Sequence, residues 1–191
     1  MTVTKGDECR CRILEAARKL FYQKGFSATS INDVAEEAGV LKGNLSYYYP
    51  SKSELLESAT AAREAEVQAM IAEWSALEGS LFEIMDQVLS SFEADADNIV
   101  AYGCDIGTLT NELGKGDGEL QRQPRQIFEL IQTWLTERFA TRFSKAVARE
   151  HAEHLLVMTQ GAAVLAHAYR DPKLLQRQCK LIRTWLREVC E

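Results

Sequence analysis

Residues 29–50 read Thr29-Ser30-Ile31-Asn32-Asp33-Val34-Ala35-Glu36-Glu37-Ala38-Gly39-Val40-Leu41-Lys42-Gly43-Asn44-Leu45-Ser46-Tyr47-Tyr48-Tyr49-Pro50. Ile31, Val34, Ala35 and Ala38 recur at i, i+3, i+4 and i+7, the spacing of one helix face, with Thr29 and Ser30 as N-caps and Asp33 in the first turn. Gly39 supplies the positive φ that lets the chain reverse through Gly39-Val40-Leu41, and a second short helix follows from Lys42 to Tyr48. Two short helices about such a turn make a helix-turn-helix, whose second helix fits a DNA major groove while the first crosses the backbone. Leu45 and Tyr49 are then expected to face inward, and Lys42, Asn44, Ser46, Tyr47 and Tyr48 outward. No acidic residue interrupts positions 40–53, so nothing there would repel phosphate.

Working outward, Ile13, Ala17, Leu20, Phe21 and Lys24 mark a helix before this unit, closed by Gly25. After it, Ser51-Lys52-Ser53-Glu54 has the form of a capping box and opens a fourth helix to about Leu77. Leu81, Phe82, Met85, Val88, Leu89 and Phe92 define a fifth helix, and residues 102–113 can hold a sixth. The Gly114-Lys115-Gly116-Asp117-Gly118 stretch reads as a loop. A seventh helix carries Ile127, Leu130, Ile131, Trp134, Leu135, Arg138 and Phe139. An eighth spans about 148–169, and a ninth starts at Asp171-Pro172 and runs through Val189. The expected fold is all-α, with about nine helices. Residues 1–50 form a helix-turn-helix head, and residues 51–191 form a helical regulatory and dimerisation bundle joined to it by the fourth helix.

The chain has 191 residues, 46% hydrophobic and 26% charged, with three prolines and eleven glycines, which fits one globular, mostly helical protein. A net charge of −6 excludes a general polyanion binder. Eight of the 22 Lys/Arg and seven of the 28 Asp/Glu fall in residues 1–55, so the acidity lies behind the head and any nucleic-acid contact belongs to the first quarter. Neither a secretory leader nor an 18-residue apolar span is visible, so a cytoplasmic location is expected. The five cysteines match no zinc or disulfide framework and should be reduced thiols.

The stretch from about 10 to 57 resembles the TetR family of dimeric transcriptional regulators. The resemblance rests on Gly25-Phe26, Thr29 to Ala35, Ala38-Gly39-Val40, Lys42-Gly43-Asn44-Leu45 and Tyr48 to Leu56. It implies that Thr29, with Ser30 and the amides opening the second helix, holds a phosphate, and that Tyr48 and Lys52 do likewise. It also places Lys42, Gly43, Asn44, Ser46 and Tyr47 near bases. Lys suits guanine, Asn suits adenine, and a Tyr ring packs on a thymine methyl. Two positions depart from the family: Leu41 stands in place of a capping Ser or Thr, and Ser46 in place of a Tyr.

The eighth and ninth helices carry wide apolar faces that pairing of two copies would bury, with Gly161-Ala162-Ala163 permitting close approach. The resemblance implies the same dimer interface and a small-molecule effector of unidentified chemistry, with no fixed cofactor. Trp74, Phe82, Met85, Phe92, Tyr102, Cys104, Phe128, Ile131, Trp134 and Leu135 are candidate ligand contacts, though such a stripe is also plain core. Cys104 sits near a helix start, whose dipole would lower its pKa while Asp105 opposes it; it reads first as a small buried filler, as free cysteines mostly are, and second as an electrophile or oxidant sensor. Glu150, His151, Glu153 and His154 read as a solvated face rather than a metal site.

The sequence therefore points to a ligand-responsive repressor that binds a palindromic operator as a dimer and is released by a small molecule. No convergent acid, base and nucleophile is present, so no catalytic residues are assigned and the chain is read as a non-enzyme without metal. The alternative is an all-α enzyme or a metal- or thiol-based sensor bundle without sequence-specific DNA binding. A head that binds protein, and activation in place of repression, also stay open.

Overall fold

A computed structural model of the chain describes residues 4–113 and 122–191, so the expected loop at 114–118 lies outside the described residues. Ten helices and no strands are found among them: α1 Lys5–Lys24, α2 Ile31–Glu37, α3 Lys42–Tyr48, α4 Lys52–Ser75, α5 Leu81–Ala94, α6 Ala96–Tyr102, α7 Asp105–Leu113, α8 Arg122–Phe139, α9 Lys145–Tyr169 and α10 Pro172–Cys190. The all-α expectation holds. The single helix expected over 102–113 does not, because Gly103 at φ 85° ends α6 and the chain restarts at Asp105. A further helix, α6, fills 96–102, where no apolar stripe had marked one.

The helix ends follow from local chemistry. Thr4, Ser30 and Ser80 each accept the N–H three residues on, while Asp7, Asp33 and Glu83 return a carboxylate to the cap N–H. Ser51 accepts the Glu54 N–H at 3.1 Å and donates its hydroxyl to the Glu54 carboxylate, starting α4 where the sequence placed it. Gly39, at φ 63°, follows α2 and lets the Val40 N–H reach back to Ala35 O at 3.0 Å.

The chain divides into two compact units: Met1–Ala65 with Thr108–Arg125, and Glu66–Gly107 with Gln126–Glu191. The division differs from a cut at residue 50. Leu55, Leu56 and Ala59 of α4 are buried with Ile13, Ala17, Leu20, Val34, Leu45 and Tyr49 in the head core, and Leu109 and Leu113 of α7 pack against them. In the second unit α10 lies against α9 and α5, and α6 against α9. Its core holds Met85, Leu89, Trp134, Leu135, Phe139, Leu155, Ala163, Leu175, Ile182 and Leu186. Arg183 of α10 ties down α5, donating to Asp86 at 2.5 Å and Glu93 at 3.1 Å.

Candidate nucleic-acid interface

Helix α3 is anchored by two side chains on one face. Leu45 is fully buried and Tyr49 is 3% exposed. The opposite side presents Lys42, Gly43, Asn44, Ser46 and Tyr47 to solvent, so all five residues read as base-facing lie on the free surface. Tyr47 stands furthest out, 81% exposed, with its ring edge-to-face against half-buried Tyr48 at 5.1 Å. A Cβ added to Gly6 would lie 3.3 Å from the Tyr48 hydroxyl, so the first turn of α1 comes close beside that group. Leu41 is the N-cap of α3 and supplies no capping bond, as its side chain requires.

One residue read as a phosphate contact is placed differently. Thr29 is 1% exposed, and its hydroxyl donates to Gly25 O at 2.7 Å and Leu20 O at 3.3 Å. This corrects the expectation of a phosphate contact through that side chain. Thr29 closes the α1–α2 loop from inside, and the cap of α2 is exposed Ser30, whose oxygen accepts the Asp33 N–H at 3.1 Å. Lys52 is half-buried, with its ammonium 4.3 Å from the Phe26 ring centre and donating to Ser27 O at 3.4 Å. It is a cation held at the edge of the same loop.

The residue that reading the sequence missed is Glu112. Its carboxylate accepts the backbone N–H groups of Phe26 at 2.8 Å and Ser27 at 2.5 Å. Burial acts to raise its pKa, but the N–H donors of Ser27 and Phe26 and the nearby Lys52 charge outweigh it, so the carboxyl lies below its ordinary range. No spacing rule links residues that far apart, and a lone Glu before a glycine-rich stretch carries no signal.

Nine of the ten ligand candidates fall in two apolar clusters of the second unit, and the tenth, Tyr102, is the half-buried last residue of α6. Trp74, Met85, Trp134 and Leu135 are buried core, with Phe82 and Phe92 packed against them. The Trp74 and Trp134 rings lie 5.4 Å apart, and Trp134 Nε1 donates to Ser75 Oγ at 2.7 Å. Phe128 packs instead on Val67, Ile106 and Ile127. Cys104, Ile131, Met70 and Ile71 touch both clusters and so form the seam between them. Met70 and Ile71 were legible as part of the Val67, Met70, Ile71, Trp74 stripe on α4, at i, i+3, i+4 and i+7.

The Cys104 thiol sits 3.9 Å from Asp105 Oδ1 and 3.5 Å from Gln160 Nε2. Burial, followed by the Asp105 charge, pushes its pKa up, which favours the reading of a small buried filler over that of a reactive thiol. His151 lies among the rings of Phe139, Phe143 and Trp185, and Glu153 is bonded to Arg149 and Gln132. Among the described residues no group of three or more His, Cys, Asp or Glu side chains is placed to hold a metal, and no helix is long and apolar enough to cross a membrane.

Comparison with known proteins agrees with this arrangement over both units. Residues 13–59 match the family described as bacterial regulatory proteins, tetR family, and residues 80–180 match the C-terminal domain of LmrA/YxaF-like transcriptional regulators. The chain is similar to an uncharacterized HTH-type transcriptional regulator in the lacX 3′ region of Lactococcus lactis subsp. lactis, at 26% identity over 190 residues covering 94% of each chain. Over 57 residues, 30% of this chain and 27% of the other, it is 37% identical to the HTH-type transcriptional regulator TtgR of Pseudomonas putida. In fold it resembles a TetR-family regulator from Agrobacterium tumefaciens, with a TM-score of 0.84, 20% identity, and coverage of 94% of this chain and 98% of that one. A head with an exposed recognition helix, followed by a helical body that matches a regulator's C-terminal domain, belongs to the TetR family of helix-turn-helix transcriptional regulators.

Proposed function

We propose that the chain acts as a symmetric dimer that places two copies of α3 in successive major grooves of a near-palindromic operator and represses transcription until a small molecule binds the second unit. One observation carries this reading: α3 is held to the head core through Leu45, Tyr49 and half-buried Tyr48, so Lys42, Gly43, Asn44, Ser46 and Tyr47 stand exposed. Ser30, Tyr48 and Lys52 supply phosphate contacts beside them. Half-sites would lie about 34–36 Å apart, or a multiple of that, as two-fold symmetry demands.

The dimer contact is assigned to α9 and α10. Val157, Val164, Leu165 and Tyr169 of α9 and Leu181 of α10 are exposed, and an added Cβ on Gly161 would meet nothing within 4 Å. A second copy would cover these side chains and use the bare Gly161 for close approach. The effector site is assigned to the seam of Cys104, Ile131, Met70 and Ile71, an apolar lining with the polar ends of Cys104 and Gln160 at its edge. Effector coupling of about 1–3 kcal/mol would lower operator affinity about 5- to 150-fold.

The test is selection from random duplexes with purified protein, followed by gel shift of the enriched sequence. A palindrome whose binding is weakened by Tyr48→Phe or Lys52→Ala supports the reading. Retention of duplexes without any sequence preference at moderate salt overturns it.

A further inference from the structure

Among the described residues 4–65, the large apolar side chains left exposed are two, Leu41 at 76% and Tyr47 at 81%, and they sit at the two ends of α3. Leu41 is a poor choice for the folded chain. As N-cap it forms no side-chain bond to the first turn, where a Ser, Thr, Asp or Asn would stabilise the helix. Its side chain also stays in water, so no burial in the protein compensates. Two positions on, Gly43 repeats the pattern. Its φ is not positive, an added Cβ would meet nothing within 4 Å, and glycine inside a helix is costly relative to alanine. Neither the backbone nor the packing of this protein asks for leucine at 41 or a bare surface at 43. The need for both lies outside the chain, on the surface that α3 meets.

We infer that Leu41 is a base-reading residue, which seats its isobutyl group against the C5-methyl of a thymine at the leading end of each operator half-site. This inference rests on the proposed DNA-binding role and deepens it. Thymine is singled out because its methyl is the apolar feature of the major-groove floor, where the other base edges present donors and acceptors. The N-terminal end of a recognition helix is the part that reaches base edges, and Gly43 lets the helix come close enough for so short a side chain to touch. Lys42, beside Leu41, and the absence of any acidic residue from 40 to 53 keep the approach to the duplex free of repulsion.

The spacing adds a positional statement. Leu41 and Tyr47 are six residues apart, which is roughly 9 Å along a helix axis. They also lie about 120° apart around that axis, so the two apolar side chains address separate positions of the half-site. Each half-site therefore carries two methyl-dependent positions, one for each side chain.

The experiment uses the full-length protein and the operator selected as above, with each thymine replaced singly by uracil, which removes only the methyl. Wild-type protein should lose about fourfold in affinity at one position through Leu41, the worth of one buried methyl. Leu41→Ala should lose its response at that position and keep it at the position read by Tyr47, an interaction that a double-mutant cycle isolates. Leu41→Ser separates reading from folding. It restores a helix cap and should raise the thermal midpoint of the head while abolishing discrimination between thymine and uracil at the position read by Leu41 and keeping it at the one read by Tyr47.

If wild type and Leu41→Ala respond alike to every uracil, or the selected half-sites hold no thymine under the leading end of α3, the inference fails while the regulator reading stands. Absence of any selected operator fails the regulator reading itself.

Discussion

Glu112 accepts a hydrogen bond from the backbone N–H of Phe26, 86 residues earlier in the chain, at 2.8 Å, and its second oxygen takes the N–H of Ser27 at 2.5 Å. Those amides lie in the loop between α1 and α2, where Gly25 takes φ 89° and a Cβ would come within 3.1 Å of the same carboxylate. One side chain of α7 thus occupies the space that glycine leaves open and bonds the loop that positions α2. Replacement by alanine strands two donors, and Phe26 is only partly open to water. Glu112→Ala should lower stability by about 1–2 kcal/mol, the range for bonds to a charged acceptor partly shared with solvent. Amide exchange at Phe26 and Ser27 should accelerate more than in the rest of the head. Unchanged exchange at both amides would contradict the role.

The same carboxylate gives a pH dependence of known sign. Its folded pKa lies below the ordinary value of 4.5, so the native state binds its proton less readily than the unfolded chain. The stabilisation is then fully present above 4.5, and is lost as the pH falls through the depressed folded value. The capping carboxylates Asp7, Asp33 and Glu83 are lowered by their Thr4, Ser30 and Ser80 partners and act in the same direction. Urea midpoints should be level from about pH 6 to 8 and drop in acid. The drop should be shallower in Glu112→Gln.

Thiol reactivity should follow burial. Cys179 and Cys190 are buried and raised to about 11, in each case mainly by burial, and Cys104 is raised for the same reason with Asp105 adding to it. Cys11 is exposed and Cys9 half-buried. Alkylation of native protein near neutral pH, read by peptide mass, should label Cys11 first and Cys179 and Cys190 only on unfolding. Prompt labelling of Cys179 in native protein would contradict the packing of α10 against α5.

Gly161 offers a test of assembly that leaves the fold alone. Because an added Cβ there meets nothing within 4 Å, Gly161→Leu should not destabilise a single copy, and its helix should gain slightly from the better helix former. Sedimentation should nevertheless show a shift from dimer towards monomer. A dimer of unaltered strength would move the contact elsewhere on the surface.

Much of the head was legible because its signals are local. The apolar period of α1 and α2, the positive φ at Gly39, and the inward pair Leu45 and Tyr49 are decided within a few residues, and the structure places them as the spacing predicts. Thr29 was misread because a hydroxyl before a helix looks the same whether its partner is a ligand or a neighbouring carbonyl. Only the fold of the Gly25–Thr29 loop reveals that the partner is Gly25 O. At Cys104 two readings stayed open for a related reason: its place at a helix start is local, but the burial that sets its pKa comes from the body around it. The break between α6 and α7 was hidden because Gly103 can sit inside a helix or, at φ 85°, end one.

The reach of Glu112 also orders events during synthesis. The three helices of the reader end at Tyr48, yet the acceptor that fastens the α1–α2 loop follows only at Glu112. A nascent chain therefore carries an unfastened reader until Glu112, 64 residues beyond the end of α3, has emerged. A fragment ending at Ala65 would have the recognition helix and lack the residue that pins the loop leading into it.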